Sequence, residues 1–196
     1  RLAISLEYMR FTTEADGEEF TEELEQKFSD IMEGDLSADK AVADYIRSEG
    51  LDTSSDDPKL DDQSRYPGTR CLVNYFGIKD KPQLKRIDKH ISSLRTAELL
   101  RSPLDMPFTF DHLKAIHFHL FGDIYPSAGQ IRRRSSSKHT EYCEPEYIDA
   151  QAKRLFDELL ASKYLRNFDD SDDFINELAY YMGELEALHP FADGNG

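Results

Sequence analysis

The chain has 196 residues, 39% of them hydrophobic and 32% charged, with a formal net charge of −15; that is enough apolar material for one medium domain or a domain with a small appendage. No apolar run approaches the ~20 residues of a bilayer-crossing helix, and so acidic a chain excludes general nucleic-acid binding by phosphate neutralisation. Two cysteines without ligand spacing, Cys71 and Cys143, read as small semi-buried residues, and with no basic-then-apolar leader visible after Arg1 a reducing cytoplasm is the expected compartment.

Residues 1–50 read as three helices separated by turns. Gly17 can end the first, Thr21 can cap a second that Gly34 closes, and Ser37 can cap a third carrying the apolar stripe Ala41, Val42, Tyr45 and Ile46. Helices this short need a body to pack against. Residues 1–64 hold 6 Lys/Arg against 19 Asp/Glu, leaving 18 against 20 for the remainder, an asymmetry that marks the first third as a separate functional unit. Residues 51–65 are polar, short of apolar anchors and interrupted by Pro58, and read as a linker. From 66 onward turn residues Pro67, Gly68 and Gly77 surround Leu72, Tyr75 and Phe76, and helical patterns follow at about 81–101, 111–121, 145–164 and 171–188. Segment 132–144 is polar, a loop or a short hairpin. There is no internal repeat, and the chain reads as mainly α.

His117 and His119 are two residues apart on a helix, so their side chains diverge by about 200° and do not share a metal. Arg132, Arg133 and Arg134 with Lys138 form the one dense basic cluster. It reads as a solvated loop face, or as an attractor for a nucleotide or an acidic partner.

The helix at 171–188 places Phe174, Ile175, Leu178, Met182, Leu185 and Leu188 on one face, the pattern of a buried core helix. It runs into His189-Pro190-Phe191-Ala192-Asp193-Gly194-Asn195-Gly196. Pro190 cannot continue the helix, so His189 stands at its end. Gly194 and Gly196 let main-chain amides approach a ligand. Such a loop offers N–H donors to phosphate oxygens, a carboxylate at Asp193 for magnesium, and at His189 a base that titrates near neutrality. The plainer reading is a helix that ends in a Gly-rich turn.

This segment resembles the first eight positions of the Fic signature, His-x-Phe-x-Asp/Glu-Gly-Asn-Gly-Arg-x-x-Arg. His119 through Arg132, with Phe121, Gly122, Asp123, Tyr125, Ala128 and Gly129, is similar to the segment preceding the substrate-docking flap in that family. Tyr66-Pro67-Gly68-Thr69 through Asn74 to Gly77-Ile78 is similar to its opening segment. The three blocks lie in the family's order and cover about 66–196. The resemblance implies a mainly α, Fic-type helical bundle with a small β-hairpin flap, and transfer of AMP from ATP to a hydroxyl of a target protein. It implies His189 as the base, Asp193 as the Mg2+ ligand, Gly194, Asn195 and Gly196 as the anion hole, and Phe191 as the loop's anchor. The flap falls at Ser137, Lys138, His139, Thr140, Glu141 and Tyr142, running on toward Glu144, and would align the target's backbone as an added strand. The resemblance puts the signature's two arginines just beyond Gly196, and without them the 196 residues alone are expected to be inactive or inhibited. Ser127 stands where many relatives have Trp. The alternatives are a non-catalytic interaction module with a degenerate site, or transfer of another phosphate-containing group.

Fic antitoxins and inhibitory helices carry Ser/Thr-x-x-x-Glu-Gly/Asn. Thr12 to Asp16 and Gly17 fits with Asp for Glu, and Ser29 to Glu33 and Gly34 fits literally. The first is favoured: the motif ends the first helix of such segments, and Gly34-Asp35-Leu36-Ser37 matches the close of their second. Ordinary helix C-caps would also explain both. Residues 1–50 thus resemble a three-helix, antitoxin-like inhibitory segment, 51–65 a linker and 66–196 the catalytic core. Relatives paired with such segments act as toxins on type II topoisomerases, which makes a subunit of that class a candidate target.

Overall fold

The computed structural model describes residues 2–15, 17–52, 63, 65–137, 141–166 and 170–195. Its α-helices in chain order are α1 Leu2–Ala15, α2 Glu22–Glu33, α3 Ala38–Ser48, α4 Lys81–Arg101, α5 Phe110–Phe121, α6 Ile148–Ala161 and α7 Ser171–Leu188. Short 3-10 turns at Pro145–Tyr147 and Lys163–Leu165 flank α6. The chain divides into two compact units, one of Arg1–Asp105 with Phe118–Ala128, the other of Met106–His117 with Gly129–Gly196.

In the first unit, local chemistry sets the helix ends. The Thr21 hydroxyl accepts from the Leu24 N–H at 3.2 Å, and Glu22, Glu23 and Glu25 place negative charge on the first turn of α2, where the helix dipole favours it. Gly34 ends α2 in the left-handed conformation (φ 94°), and its N–H bonds to Asp30 and Ile31 carbonyls. Ser37 caps α3 through the Lys40 N–H, and Asp80 caps α4 through the Gln83 N–H.

The body that these short helices need is α4. Leu24, Phe28 and Ile31 of α2 and Ala41, Val42 and Tyr45 of α3 are buried, as are Leu84, Ile87, Ile91 and Leu94 of α4, and both helices pack on α4. The Arg86 guanidinium grips Glu49 with two bonds of 2.9 and 2.8 Å. The Tyr45 ring lies flat on His90, 3.6 Å between centroids. Burial there pulls His90 down to about 4 and pushes the Tyr45 phenol up to about 12. Asn74 organises the turn before α4: its amide donates to the Leu72 and Ile78 carbonyls and accepts from the Ile78 N–H, all within 3.0 Å.

The second unit is built on Phe110, Ile148, Ala152, Phe156 and Leu188, with Leu113, Ile131, Cys143 and Leu185 packed against them.

One expectation changes, and two more fall partly outside the described residues. The α7 helix forms as read, but the expected face is not its buried one: Tyr181 and Leu188 are buried, whereas Phe174, Ile175, Leu178 and Met182 are exposed, Ile175 at 57% and Met182 at 61%. Helical period follows from local sequence, while burial depends on the layer packed opposite. The mainly α class holds, yet the described residues contain no β-strand, only isolated antiparallel bridges of Arg65 with Leu72 and Ser137 with Glu141. The latter bridge is all they show of a hairpin, since Lys138, His139 and Thr140 lie outside them. Of the linker at 51–65, residues 53–62 and 64 also lie outside the described set, while Gln63 is buried.

Candidate functional site

The end of α7 carries the chemistry. His189 takes left-handed backbone angles (φ 43°, ψ 61°) and its N–H still reaches the Leu185 carbonyl at 3.1 Å. A non-glycine residue holds such angles only where its surroundings impose them. Pro190 then turns the chain away from the helix axis.

Two braces close the loop that follows. The Asn195 side chain accepts from the Phe191 N–H at 2.8 Å and donates to the Phe191 carbonyl at 2.9 Å, so this residue shapes the loop with both ends of its amide. Phe191 is 3% exposed and its ring stacks on His117 at 3.8 Å. His117 is itself buried. Its Nδ1 accepts from the Gly129 N–H at 2.9 Å, which leaves the proton on Nε2, and that atom donates to the Asp193 carbonyl at 2.9 Å. Burial, the leading cause, holds this imidazole below its ordinary pKa, against an upward pull from Asp193. His117 is therefore a neutral pin through the floor of the loop.

Arg132 is the second structural residue that the sequence did not reveal. Against its reading as a solvated loop face, it is 3% exposed. Its Nε donates to the His189 carbonyl at 2.6 Å, Nη1 to the Arg134 carbonyl at 2.8 Å, and Nη2 to the Cys143 carbonyl. Its own N–H reaches the Pro190 carbonyl at 2.8 Å. A permanent positive charge thus sits at the C-terminal end of α7, where the last carbonyls and the helix dipole call for one. Arg133 and Arg134 are exposed, as expected of a loop face, and Lys138 lies outside the described residues.

Asp193 is exposed, and its carboxylate accepts from the Gly194 N–H at 3.0 Å. Gly194 has φ 69°, and Gly196 lies outside the described residues. One exposed carboxylate suits a hard cation that shares its remaining ligands with phosphates and water. No group of three or more His, Cys, Asp or Glu able to hold a metal occurs among the described residues, so the donors present fit Mg2+ held with a nucleotide rather than a caged ion.

Tyr142 at the end of the flap segment lies parallel to His189, 3.8 Å between centroids and 3° between planes. Glu186, one turn before His189, accepts from the Tyr142 hydroxyl at 3.4 Å and approaches His189 Nδ1 at 4.0 Å. A cavity of about 710 Å3 lies elsewhere. It is walled by Phe108, Leu113, Phe156, Leu178 and Met182, and no residue of the 189–195 loop lines it. Its apolar walls do not suit phosphate.

The two inhibitory candidates are both helix ends. The Thr12 hydroxyl bonds back to the Met9 carbonyl at 3.2 Å, and Gly17 is left-handed, while Asp16 lies outside the described residues. The Ser29 hydroxyl bonds back to the Glu25 carbonyl at 2.9 Å, Glu33 is exposed, and a Cβ on Gly34 would run into the Arg101 guanidinium. Ser127, the position of the expected Trp, is buried.

Known proteins resemble this chain in sequence and in fold. The model of the Fic/DOC family matches residues 107–196. The protein adenylyltransferase VbhT of Bartonella schoenbuchensis is 38% identical over 146 residues, 72% of this chain, which spans 29% of VbhT's length. The probable protein adenylyltransferase y4lH of Sinorhizobium fredii is 36% identical over 138 residues, 70% of each chain. Among solved structures, the N-terminal Fic domain of a Bartonella effector protein superposes with a TM-score of 0.60 at 27% identity, covering 66% of this chain and 64% of that one. BepC of Bartonella tribocorum, solved with bound AMPPNP, superposes at 0.62 and 24% identity, over 70% of this chain and 73% of its own, and attests the fold.

Proposed function

Because the chain belongs to the Fic/DOC family, we propose that the protein transfers AMP from ATP to a Ser, Thr or Tyr hydroxyl of a target protein. The observation that carries this reading is the closed loop 189–195. It presents an imidazole, a carboxylate and the Gly194 amide on one braced turn, pinned beneath by His117 and Arg132.

His189 takes the proton of the incoming hydroxyl. The oxygen bonds to the α-phosphorus, the bond to the β-phosphate oxygen breaks, and pyrophosphate leaves with that electron pair. By the family resemblance the amides of Gly194, Asn195 and Gly196 supply donors to the developing charge, which fixed donors stabilise without reorganisation. Asp193 would hold a magnesium ion together with the phosphates, and the ion would supply charge neutralisation there. The Gly194 N–H bonds to the Asp193 carboxylate and fixes its orientation. Residues 137–144 serve as the flap that docks the target segment, as a hairpin edge would. Target identity extends by family likeness to a type II topoisomerase subunit.

In this reading residues 1–50 form the inhibitory, antitoxin-like segment. Supporting it are the motif at Thr12, Asp16 and Gly17 and the concentration of acid in the first third of the chain. The Ser29, Glu33 and Gly34 alternative is less suitable, because Gly34 closes α2 as a packed cap.

The test is AMP transfer in the full-length protein. His189→Ala removes it, and Asp16→Ala raises it above wild type while Glu33→Ala does not. Point variants are preferred to deletion of 1–50, which would uncover the apolar face of α4 that Leu24, Phe28 and Ile31 pack upon. Transfer that survives His189→Ala refutes the assignment of the base, and equal rates for wild type and Asp16→Ala refute that of the inhibitory residue.

A further inference from the structure

We infer that Tyr142 is a positioning residue for His189, the flap-borne ring that holds the base in the one orientation useful for proton abstraction. The inference deepens the proposed function and rests on it for its kinetic consequence, but its structural basis is separate.

Parallel rings 3.8 Å apart are in van der Waals contact. Rotation of the imidazole about its Cβ–Cγ bond would drive an edge into the phenol face, so the stack removes that freedom on one side. The phenol cannot simply step aside. The Tyr142 N–H bonds to the Ser136 carbonyl at 3.2 Å, and the next residue, Cys143, donates its N–H to the Ala187 carbonyl at 2.9 Å on α7. The Cys143 carbonyl in turn accepts from Arg132, whose Nε holds the His189 carbonyl. At the ring's far end the hydroxyl donates to Glu186, the same carboxylate oxygen that lies 4.0 Å from His189 Nδ1. Backbone and side chain of the base are thus gripped by one continuous set of contacts, with the flap's last residue as its lid.

The consequence is chemical as well as steric. When His189 accepts a proton, the imidazolium faces an aromatic π-surface and a nearby carboxylate, both of which favour the cation. A base must meet its proton within hydrogen-bond reach and in line, and small misplacements of a reacting group lower rates by up to about 100-fold. Loss of the ring is expected to lower kcat on the order of 10-fold, less than loss of the base itself. The KM for ATP should not change, because the contacts of Tyr142 described above run to His189, Glu186 and Ser136 rather than to Asp193 or Gly194.

Three forms of the full-length protein decide the matter: wild type, Tyr142→Leu and Tyr142→Phe. Kinetics with α-labelled ATP give kcat and KM, and NMR of ring-labelled histidine reads the His189 protons directly. Wild type and Tyr142→Phe should show those protons shifted upfield by the stacked ring relative to Tyr142→Leu. The Tyr142→Leu variant should lose about 10-fold in kcat at unchanged KM and unchanged Tm, and Tyr142→Phe should recover most of that loss. Wild-type kcat in Tyr142→Leu, or no difference in His189 shifts between wild type and Tyr142→Leu, overturns the inference. If wild type transfers no AMP, the proposed function fails, and the NMR comparison still decides whether Tyr142 orients the ring.

Discussion

Replacing Arg132 by methionine should destabilise the second unit more than any surface charge could. The guanidinium makes three short bonds to carbonyls of His189, Arg134 and Cys143 from a site 3% exposed. Hydrogen bonds from a charged donor are each worth about 1.5–3 kcal/mol net, and carbonyls left without their donor add a desolvation penalty. Against this, methionine relieves the burial of an ion that has no carboxylate in direct contact. The balance is a loss of about 3 kcal/mol, or about 6–12 °C in Tm for a chain of this size. Arg132→Lys should recover only a part, because one ammonium cannot span three carbonyls arranged around a planar fork. Urea and thermal unfolding of wild type and both variants supply the measurement. A loss under about 1 kcal/mol for Arg132→Met, or full recovery by lysine, would refute the claim that the fork rather than the charge closes α7.

His117→Leu removes the pin between Gly129 and Asp193 and should raise the KM for ATP more than it lowers kcat, at a stability loss of about 1–3 kcal/mol; an unchanged KM would show that the loop keeps its shape without the pin. Asp193→Ala should abolish the Mg2+ dependence of transfer along with most of its rate, checked by titrating the metal; a residual rate still rising with Mg2+ would place the ion elsewhere. His90, half-buried against Tyr45 and facing Lys27, Glu23, Glu49 and Arg86, is held at about 4, chiefly by desolvation. The unfolded chain therefore binds this proton first, and stability present above the unfolded value near 6.5 falls as pH drops toward 4, by about 2–3 kcal/mol. His90→Phe should remove that part of the slope between pH 6.5 and 4 in denaturation titrations, and an identical slope in the variant would contradict it.

The N-terminal helices were legible because their boundaries are written in local chemistry. Thr21, Gly34 and Ser37 act within three or four residues of themselves, and each does so in the structure. The loop after α7 was legible for the same reason: Pro190 cannot continue a helix and Gly194 permits a positive φ wherever they occur. What escaped depends on partners distant in sequence. Arg132 looked like its exposed neighbours because the carbonyl it serves belongs to His189, 57 positions on. His117 was weighed only as half of a metal pair, since nothing near it in the sequence announces Asp193, 76 positions away. The apolar run on α7 gave the right helix and the wrong burial, because a stripe specifies a face and not the layer opposite it.

The central claim is that the α7 loop directs AMP, with its α-phosphate, onto a hydroxyl through His189. Incubation of the full-length protein with ATP labelled at either the α- or the γ-phosphate, in wild type and His189→Ala, tests this most directly. The account predicts protein-bound label from α-labelled ATP only, lost in His189→Ala. Label retained from the γ-position, or α-label undiminished in the variant, would contradict it.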